Sequence, residues 1–494
     1  MRRRWRPVGT GLPRWLVLEE FGFSEESRKL LQEAAGMLLG ELLNPFLEQR
    51  PFCVMVRAAL ERMLSAPRLD RLFDDHAVEQ YERHLSFSSL VEVMARVVTR
   101  IEPSVLASWR ALRDVLDVTD EAVYQKLRGV ETAVSEAMVR DSFAQANGVL
   151  EQLRSCDASW VRNRRIKILD GNYLSKTERR IAELRTIWDA PLPGRALVVW
   201  DQTSRLIENV FLTEDGHASE RSLLHRVLAV VERGDLWIAD RNFCTLGFLF
   251  GIADLRARFV IRQHGQLQGI PAGKKRRAGT TKKGERVYEE LITIAYKGRT
   301  RTIRRITVEL ATPTRDGDRE IHIFTNLTPR EASAVKVAEL YGKRWTIEVV
   351  FLELQTALCC EVNTLGYPRA ALFTFCVALL LQNTISMLMG SLRAVHGRQT
   401  VDEQISGVLL SQELQKTYDG MMVQIPSQHW RIFSEMSLAQ FARELKRMAE
   451  HLDPERYRKS RRGPKKPPTK KKKRYRNGGH VATLDILMLR GPPR

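Results

Sequence analysis

The stretch Ile166-Lys167-Ile168-Leu169-Asp170-Gly171 reads as a short apolar strand that stops at Asp170-Gly171. Its surroundings change character on either side. From about residue 24 to 155 the pattern is helix after helix. Ser24-Glu25-Glu26-Ser27 resembles a cap, and Leu30, Leu31, Ala34, Leu38 and Leu39 follow at helical spacing. Pro103-Ser104 begins another helix. Thr119 offers an N-cap to a helix through Tyr124 and Leu127 that stops at Gly129, and a further helix runs through Met138. That helix–glycine turn–helix fits a DNA-binding helix-turn-helix and a plain helical hairpin equally well.

Downstream of the opening strand, Ala196–Trp200 and Leu206–Leu212 read as strands joined by a tight turn at Asp201–Ser204. A helix over Ala218–Arg233 leads to a strand over Leu236–Ala239 that stops at Asp240. A helix over Leu246–Leu255 and a strand over Phe259–Ile261 follow. Three strands, a helix, a strand, a helix and a strand make an α/β chain that matches an RNase H-like mixed sheet with helices on its faces. From about 264 to 330 a basic loop (Lys274, Lys275, Arg276, Arg277, Lys282, Lys283) precedes strand-like segments at Arg286–Ile294, Thr302–Leu310 and Glu320–Thr325. A helix starts at Pro329-Arg330-Glu331 and runs through Leu354, with further helices to about 451. The expected organisation is an all-helical N-terminal region over 1–160 with a DNA-binding role, then the first part of the RNase H-like core over 161–262. A β-rich insertion over 263–330, a segment of C-terminal helices over 331–453 and a basic, disordered tail over 454–494 follow.

The chain has 494 residues and a net charge of +20, which points to a polyanionic partner. Much of the excess is local: 13 Lys or Arg and no acid lie between Arg456 and Arg476. This run, broken by Pro464, Pro467 and Pro468, reads as a phosphate-binding arm rather than a packed segment. The loop Lys274–Lys283 and the segments bearing Arg299, Arg301, Arg304 and Arg305 form a second candidate contact surface. Six cysteines include no C-x-x-C pair, as expected of free thiols in a reducing compartment. The basic start Met1–Pro7 has no apolar run after it, unlike a signal peptide. The apolar run from Ala371 breaks at Gln382, Asn383 and Thr384, too short to span a bilayer that needs about 20 residues, so a buried core helix is expected. The reading is a cytoplasmic protein with no membrane partner.

Asp170 and Asp240 each close a short apolar strand, and ends of adjacent strands lie close enough to share a cation. Tyr341, Arg344, Glu348, Phe351 and Gln355 fall on one helical face. Three convergent carboxylates are hard oxygen ligands for Mg²⁺ or Mn²⁺. Two such ions about 3.5–4 Å apart would clamp a phosphodiester undergoing displacement.

Tyr341-Gly-Lys-Arg344-Trp-Thr-Ile-Glu348, within YGKRWTIEVVFLELQ, resembles the Y-x2-R-x3-E-x6-K signature of the insertion sequence four family of bacterial DDE transposases. Ile168-Leu-Asp170-Gly and Ile238-Ala-Asp240-Arg-Asn-Phe are similar to that family's first and second acidic motifs, and the resemblance spans roughly 110–390. It implies an RNase H-like core, a β-rich insertion before the Glu helix, and cut-and-paste transposition through a DNA hairpin. By position it makes Asp170, Asp240 and Glu348 the ligands of two metal ions. It puts Tyr341, Arg344 and Gln355 on a DNA phosphate, where a guanidinium suits bidentate pairing; an i,i+4 bridge from Arg344 to Glu348 is the bland alternative. The partners implied are the element's terminal inverted repeats and target DNA, bound by a homodimer. Gln355 stands where the signature has Lys, and 262–336 contains no Trp of the kind some members stack on a flipped base, leaving Tyr288 or Tyr296. A catalytically impaired, transposase-derived DNA-binding protein is the alternative reading, and a different RNase H-like nuclease a third.

Overall fold

The computed structural model describes residues 43–80, 84–174, 190–314, 317–362, 365–407, 409–410, 425, 429–459 and 480–490. The helix expected around Leu30–Leu39 and most of the basic run before Arg476 lie outside the described residues.

The N-terminal region is helical as expected: α1 (Pro51–Met63), α2 (Ala66–His76), α3 (Phe87–Val98), α4 (Val105–Leu116), α5 (Asp120–Gly129) and α6 (Thr132–Gln152). Ser86, Ser104 and Thr119 sit outside the helical backbone region and accept from the N–H groups of Ser89, Ala107 and Ala122. Each such cap is worth about 1 kcal/mol.

The strands, in chain order, are β1 (Arg165–Tyr173), β2 (Ala190–Leu192), β3 (Arg195–Asp201), β4 (Leu206–Thr213), β5 (Asp235–Ala239), β6 (Arg258–Arg262), β7 (Ile270–Pro271), β8 (Arg276–Thr280), β9 (Arg286–Tyr296), β10 (Arg299–Glu309), β11 (Glu320–Thr325) and β12 (His480–Ala482). One mixed sheet runs β4-β3-β1-β5-β6-β11-β10-β9-β7, with β8 also on β9. Only β1–β5 and β5–β6 are parallel within it. The segment 263–330 is therefore not a module apart. Ile323–Thr325 of β11 pairs antiparallel with Val260–Arg262 of β6, so the later strands widen the same sheet.

Alternation along the strands divides the core between the two faces. Ile168, Ile238 and Val260 face one cluster, which includes Leu340, Tyr341 and Ile347. Leu169, Trp237, Ala239, Phe259 and Ile261 face the other, where α8 (Leu246–Asp254) contributes Phe248, Leu249 and Ile252. The helix expected over Ala218–Arg233 is shorter. A 3₁₀ turn at Glu220–Leu223, capped by Ser219, leads into α7 (Leu224–Leu228), and the chain then turns so that Asp235 N–H donates to Glu232.

The long helix expected from Pro329 is also broken. The Glu331 carboxylate accepts from Thr328 N–H at 2.8 Å, which keeps 328–331 in a turn. α9 (Ala334–Gly342) starts only after the Ser333 cap, and α10 (Trp345–Ala357) follows a tightened step. There Arg344, Thr346 and Ile347 N–H groups donate to Tyr341, Lys343 and Arg344 carbonyls, an i→i−3 pattern.

α11 (Pro368–His396) is long and apolar enough to cross a membrane by composition, but 83% of its most apolar window is buried inside the fold. Its polar interruption has a job there. β4 is the sheet's edge, and Asn383, fully buried, accepts from Ile207 N–H (2.7 Å) and donates to Ile207 O (2.9 Å). The same amide donates to Ser142 of α6 at 2.9 Å. Buried Glu136 of α6 accepts from Leu212 N–H at 2.8 Å. The edge is thus closed by side chains rather than left as a template for pairing. α6 lies buried between β4 and α11, and α5 also packs against α11.

α12 (Leu438–Glu450) carries a full capping box at Ser437 and Gln440. The tail expected to be disordered from 454 is ordered in part. Pro454–Tyr457 is a 3₁₀ turn, Arg458 bridges Ile405, and β12 pairs in parallel with β2 before α13 (Thr483–Arg490). Backbone pairing with β2 and packing of Ile486 against Tyr367 hold this end, which composition did not indicate. The six cysteines are free thiols, as expected.

Candidate active site

The β1–β5 ladder ends at the pair Leu169↔Ala239. Asp170 and Asp240 are the next residue on each strand, so parallel register sets them side by side on the face of Ile168 and Ile238. Asp240 ends its strand as expected. Asp170 does not, because β1 continues to Tyr173 and Asp170 still pairs with Val198 of β3.

Arg344, 8% exposed, reaches down from the step between α9 and α10. Its Nη1 donates to Asp170 Oδ2 at 2.9 Å and its Nη2 to Glu348 Oε1 at 2.7 Å. The Nε–H is buried and has no partner. The i,i+4 bridge to Glu348 is present, then, but as half of a clamp across two acids. Gly171 N–H donates to Asp170 Oδ1 at 3.0 Å. Burial pushes the Asp170 carboxyl up to about 7; Arg344 pulls it down, while Asp240 and Glu348 push it further up. Burial, the largest of these effects, decides the direction. Arg344 is held charged: its own burial works against the charge, and Asp170, Tyr341 and Glu348 more than compensate. Tyr341, 7% exposed, has its hydroxyl pushed up by burial against the pull of Arg344 and Arg262.

Asp240 also shapes its own loop. Its carboxylate caps the 3₁₀ turn Arg241–Phe243 by accepting from Asn242 N–H at 2.8 Å. The Asn242 amide in turn donates to Glu220, and Arg221 Nε donates to Asn242 O at 2.8 Å. Glu220 is 8% exposed, and its carboxyl is pushed up by burial and by Asp240. A Cβ at position 171 would stand 2.2 Å from Glu220 Oε1, which explains the glycine after Asp170. Glu220 was missed from the sequence, where it falls in a stretch that reads as an ordinary helix.

Trp345 was missed as well. It is 60% exposed, with the Arg344 guanidinium 5.3 Å from its ring centre, and Val349 one turn on is also exposed. Tyr296 is instead packed on Phe250 of α8, and Tyr288 lies under Lys275. Gln355 falls on α10, with its side chain outside the described residues.

Asp170, Asp240 and Glu348 are thus gathered in one region, but not onto one centre. Among the described residues no three Asp, Glu, His or Cys side chains converge as a metal cage, and Arg344 lies between Asp170 and Glu348. The donor set nonetheless fits a hard cation, being all carboxylate oxygen with negative charge in excess.

Residues 146–381 match the family model described as a transposase DDE domain. A curated protein named "Putative transposase y4zB", from Sinorhizobium fredii (strain NBRC 101917 / NGR234), is 33% identical over 205 residues. That match takes in 37% of this chain and 55% of the relative, so the chain spans about half the length of the relative it matches. A solved structure, a cryo-EM piggyBac transposase synaptic complex with hairpin DNA, aligns over 79% of this chain and 84% of its own at 10% identity, with a TM-score of 0.38.

Proposed function

Since residues 146–381 belong to the transposase DDE domain family, we propose that the whole chain is a DNA transposase that cuts and rejoins DNA at Asp170, Asp240 and Glu348. The observation that carries this reading is the side-by-side register of Asp170 and Asp240, with Arg344 tying Asp170 to Glu348. The parallel β1–β5–β6 centre flanked by antiparallel β3 and β4 supports an RNase H-like core.

In this reading the three acids would hold Mg²⁺ or Mn²⁺, as two ions. Once bound, the metal supplies the Lewis-acid charge that makes the attacking oxygen a better nucleophile and the departing oxygen a better leaving group. The chain's own residues do the positioning. Arg344 has an unpartnered Nε–H on a buried guanidinium, a donor that a phosphate oxygen beside the cut could take up. Tyr341 is fixed by burial next to it and presents a hydroxyl to the same phosphate. Glu220 keeps Asn242 and the Asp240 loop in place and leaves no room for a side chain at Gly171. Gln355 would add an uncharged hydrogen bond. The exposed Trp345 ring is suited to stack on an unpaired base, as a hairpin step needs. Terminal inverted repeats and target DNA are the substrates, held in a homodimeric complex on the chromosome.

The test is incubation of the purified protein with the element's terminal repeats and Mg²⁺. Strand cleavage and joined target product are expected, both lost in Asp170→Ala, Asp240→Ala and Glu348→Ala. Specific binding without cleavage would instead favour a transposase-derived DNA-binding protein.

A further inference from the structure

The basic residues of this chain divide into two sets. The arginines of the β9–β10 hairpin, a candidate contact surface by sequence, already have partners within the fold, Arg299 and Arg301 in surface pairs and Arg304 and Arg305 in more buried ones. Arg299 and Arg301 pair with Asp254, Arg304 with Glu289 and the Leu327 and Ala332 carbonyls, and Arg305 with Glu290. Lys282, Lys336 and Lys343 show the opposite behaviour. Among the described residues none has a carboxylate within ion-pair distance, and Lys282 and Lys343 are exposed. They are nevertheless close enough to repel one another. Burial lowers the pKa of Lys343 and Lys336 lowers it further; Glu339 pulls it back up, and Lys282 lowers it again.

Their scaffolding is firm. Lys336 and Lys343 lie two turns apart along α9, about 10 Å at 1.5 Å per residue. Lys343 Nζ rests 4.2 Å from the centre of the Trp160 ring, which orients the ammonium without using its N–H donors. Lys282 sits on a turn closed by Thr281 N–H to Glu285 O at 2.9 Å and by Thr281 Oγ1 to the Glu285 carboxylate at 3.0 Å. β8 leans on α9, where a Cβ at Gly279 would meet Val335. Three ammoniums without an ion-pair partner, the last of them next to Arg344 in the chain, raise the local anion concentration around them.

We infer that Lys282, Lys336 and Lys343 form a phosphate track that carries the DNA backbone to or from Arg344, while the hairpin arginines do not touch DNA. The inference rests on the transposase reading for its substrate class, but its test does not use cleavage. Binding to a short duplex of arbitrary sequence is measured without divalent metal across a salt series. Each phosphate contact contributes about 0.9 to the slope of log K against log salt. The triple variant Lys282→Ala/Lys336→Ala/Lys343→Gln is expected to lower that slope by about 2.7. Arg299→Ala/Arg301→Ala should leave it unchanged. Lys282→Glu alone, on an exposed turn, is the variant that cannot be blamed on misfolding, and it should weaken binding more than Lys282→Ala. An unchanged slope in the triple variant, or a larger loss from the arginine pair, overturns the track whatever the cleavage result. A lowered slope in a protein that never cleaves would keep the track and sink the catalytic reading.

Discussion

Asp170 and Arg344 lie 174 positions apart in sequence and meet in a 2.9 Å hydrogen bond. The same guanidinium holds Glu348. One buried cation thus stands among acids that, on the proposed reading, share metal ions and face a phosphate. Its position makes sense if it serves in turn as the acids' counter-ion and the substrate's anchor. Were the acids to hold metal, their grip on Arg344 would weaken and its donors would become available to a phosphate.

Replacing Arg344 tests that double role. Arg344→Lys keeps the charge but cannot bridge two carboxylates and a phosphate from one planar fork. Single-turnover cleavage is expected to fall by about a hundredfold. Duplex affinity should fall far less, since Arg344 is one contact among many. An equal loss in both would mean that Arg344 serves binding alone.

Asp170 carries a conflict between stability and function. Its carboxyl is raised from 3.8 to about 7 in the fold, so the folded state keeps its proton longer than the unfolded chain does. The stability this gives is fully present below about pH 4 and is lost as the pH rises through 7. Asp170→Asn in metal-free buffer should therefore melt above the wild type at pH 8, by on the order of 1–3 kcal/mol. The gap should close near pH 4. The same variant should not cleave DNA. A lower melting temperature at pH 8 would show that the Arg344 pair outweighs burial and the neighbouring acids.

Gly171 and Glu220 form a steric pair. Gly171→Ala drives a Cβ against a carboxylate pinned by Asn242, at an expected cost of about 1–3 kcal/mol. In a Glu220→Ala background the same change should cost much less. Denaturant melts of the double-mutant cycle read the coupling directly. Additive costs would mean that Glu220 does not pack on Gly171.

Asn383 should prove expensive to remove. Asn383→Leu strips both bonds from Ile207 at the sheet edge and one from Ser142, all buried. A loss of about 2–4 kcal/mol is expected by urea unfolding, against under 0.5 kcal/mol for an exposed control such as Gln399→Ala. A small loss for Asn383→Leu would mean that water replaces the amide at the edge.

Much of this molecule could be read from the chain. β3, β4, β5, β6 and β11 fall within a residue or two of the expected strands, because half-buried and buried strands leave an apolar signal of fixed length. Asp240 lies at its strand end as read. Asp170 does not, since whether β1 continues depends on β3, a partner the local sequence does not reveal. For the same reason the sequence did not show that the strands of 263–330 extend the central sheet. The break at Lys343–Arg344 was hidden because its residues keep helical spacing while the hydrogen bonds tighten to i→i−3. It matters for function, because it turns Arg344 inward. Glu220 had no signal, lying in a stretch that read as an ordinary helix. Charge count likewise says nothing of which charges are already paired, as those of the arginine-rich hairpin are.

The most direct measurement is cleavage of terminal-repeat DNA by wild type and by the three single variants Asp170→Ala, Asp240→Ala and Glu348→Ala, with Mg²⁺ or Mn²⁺ and with EDTA. Metal-dependent strand cleavage in the wild type, and at least about a thousandfold less in each variant, is the expected result. Cleavage that persists in all three variants, or that proceeds in EDTA, would contradict it.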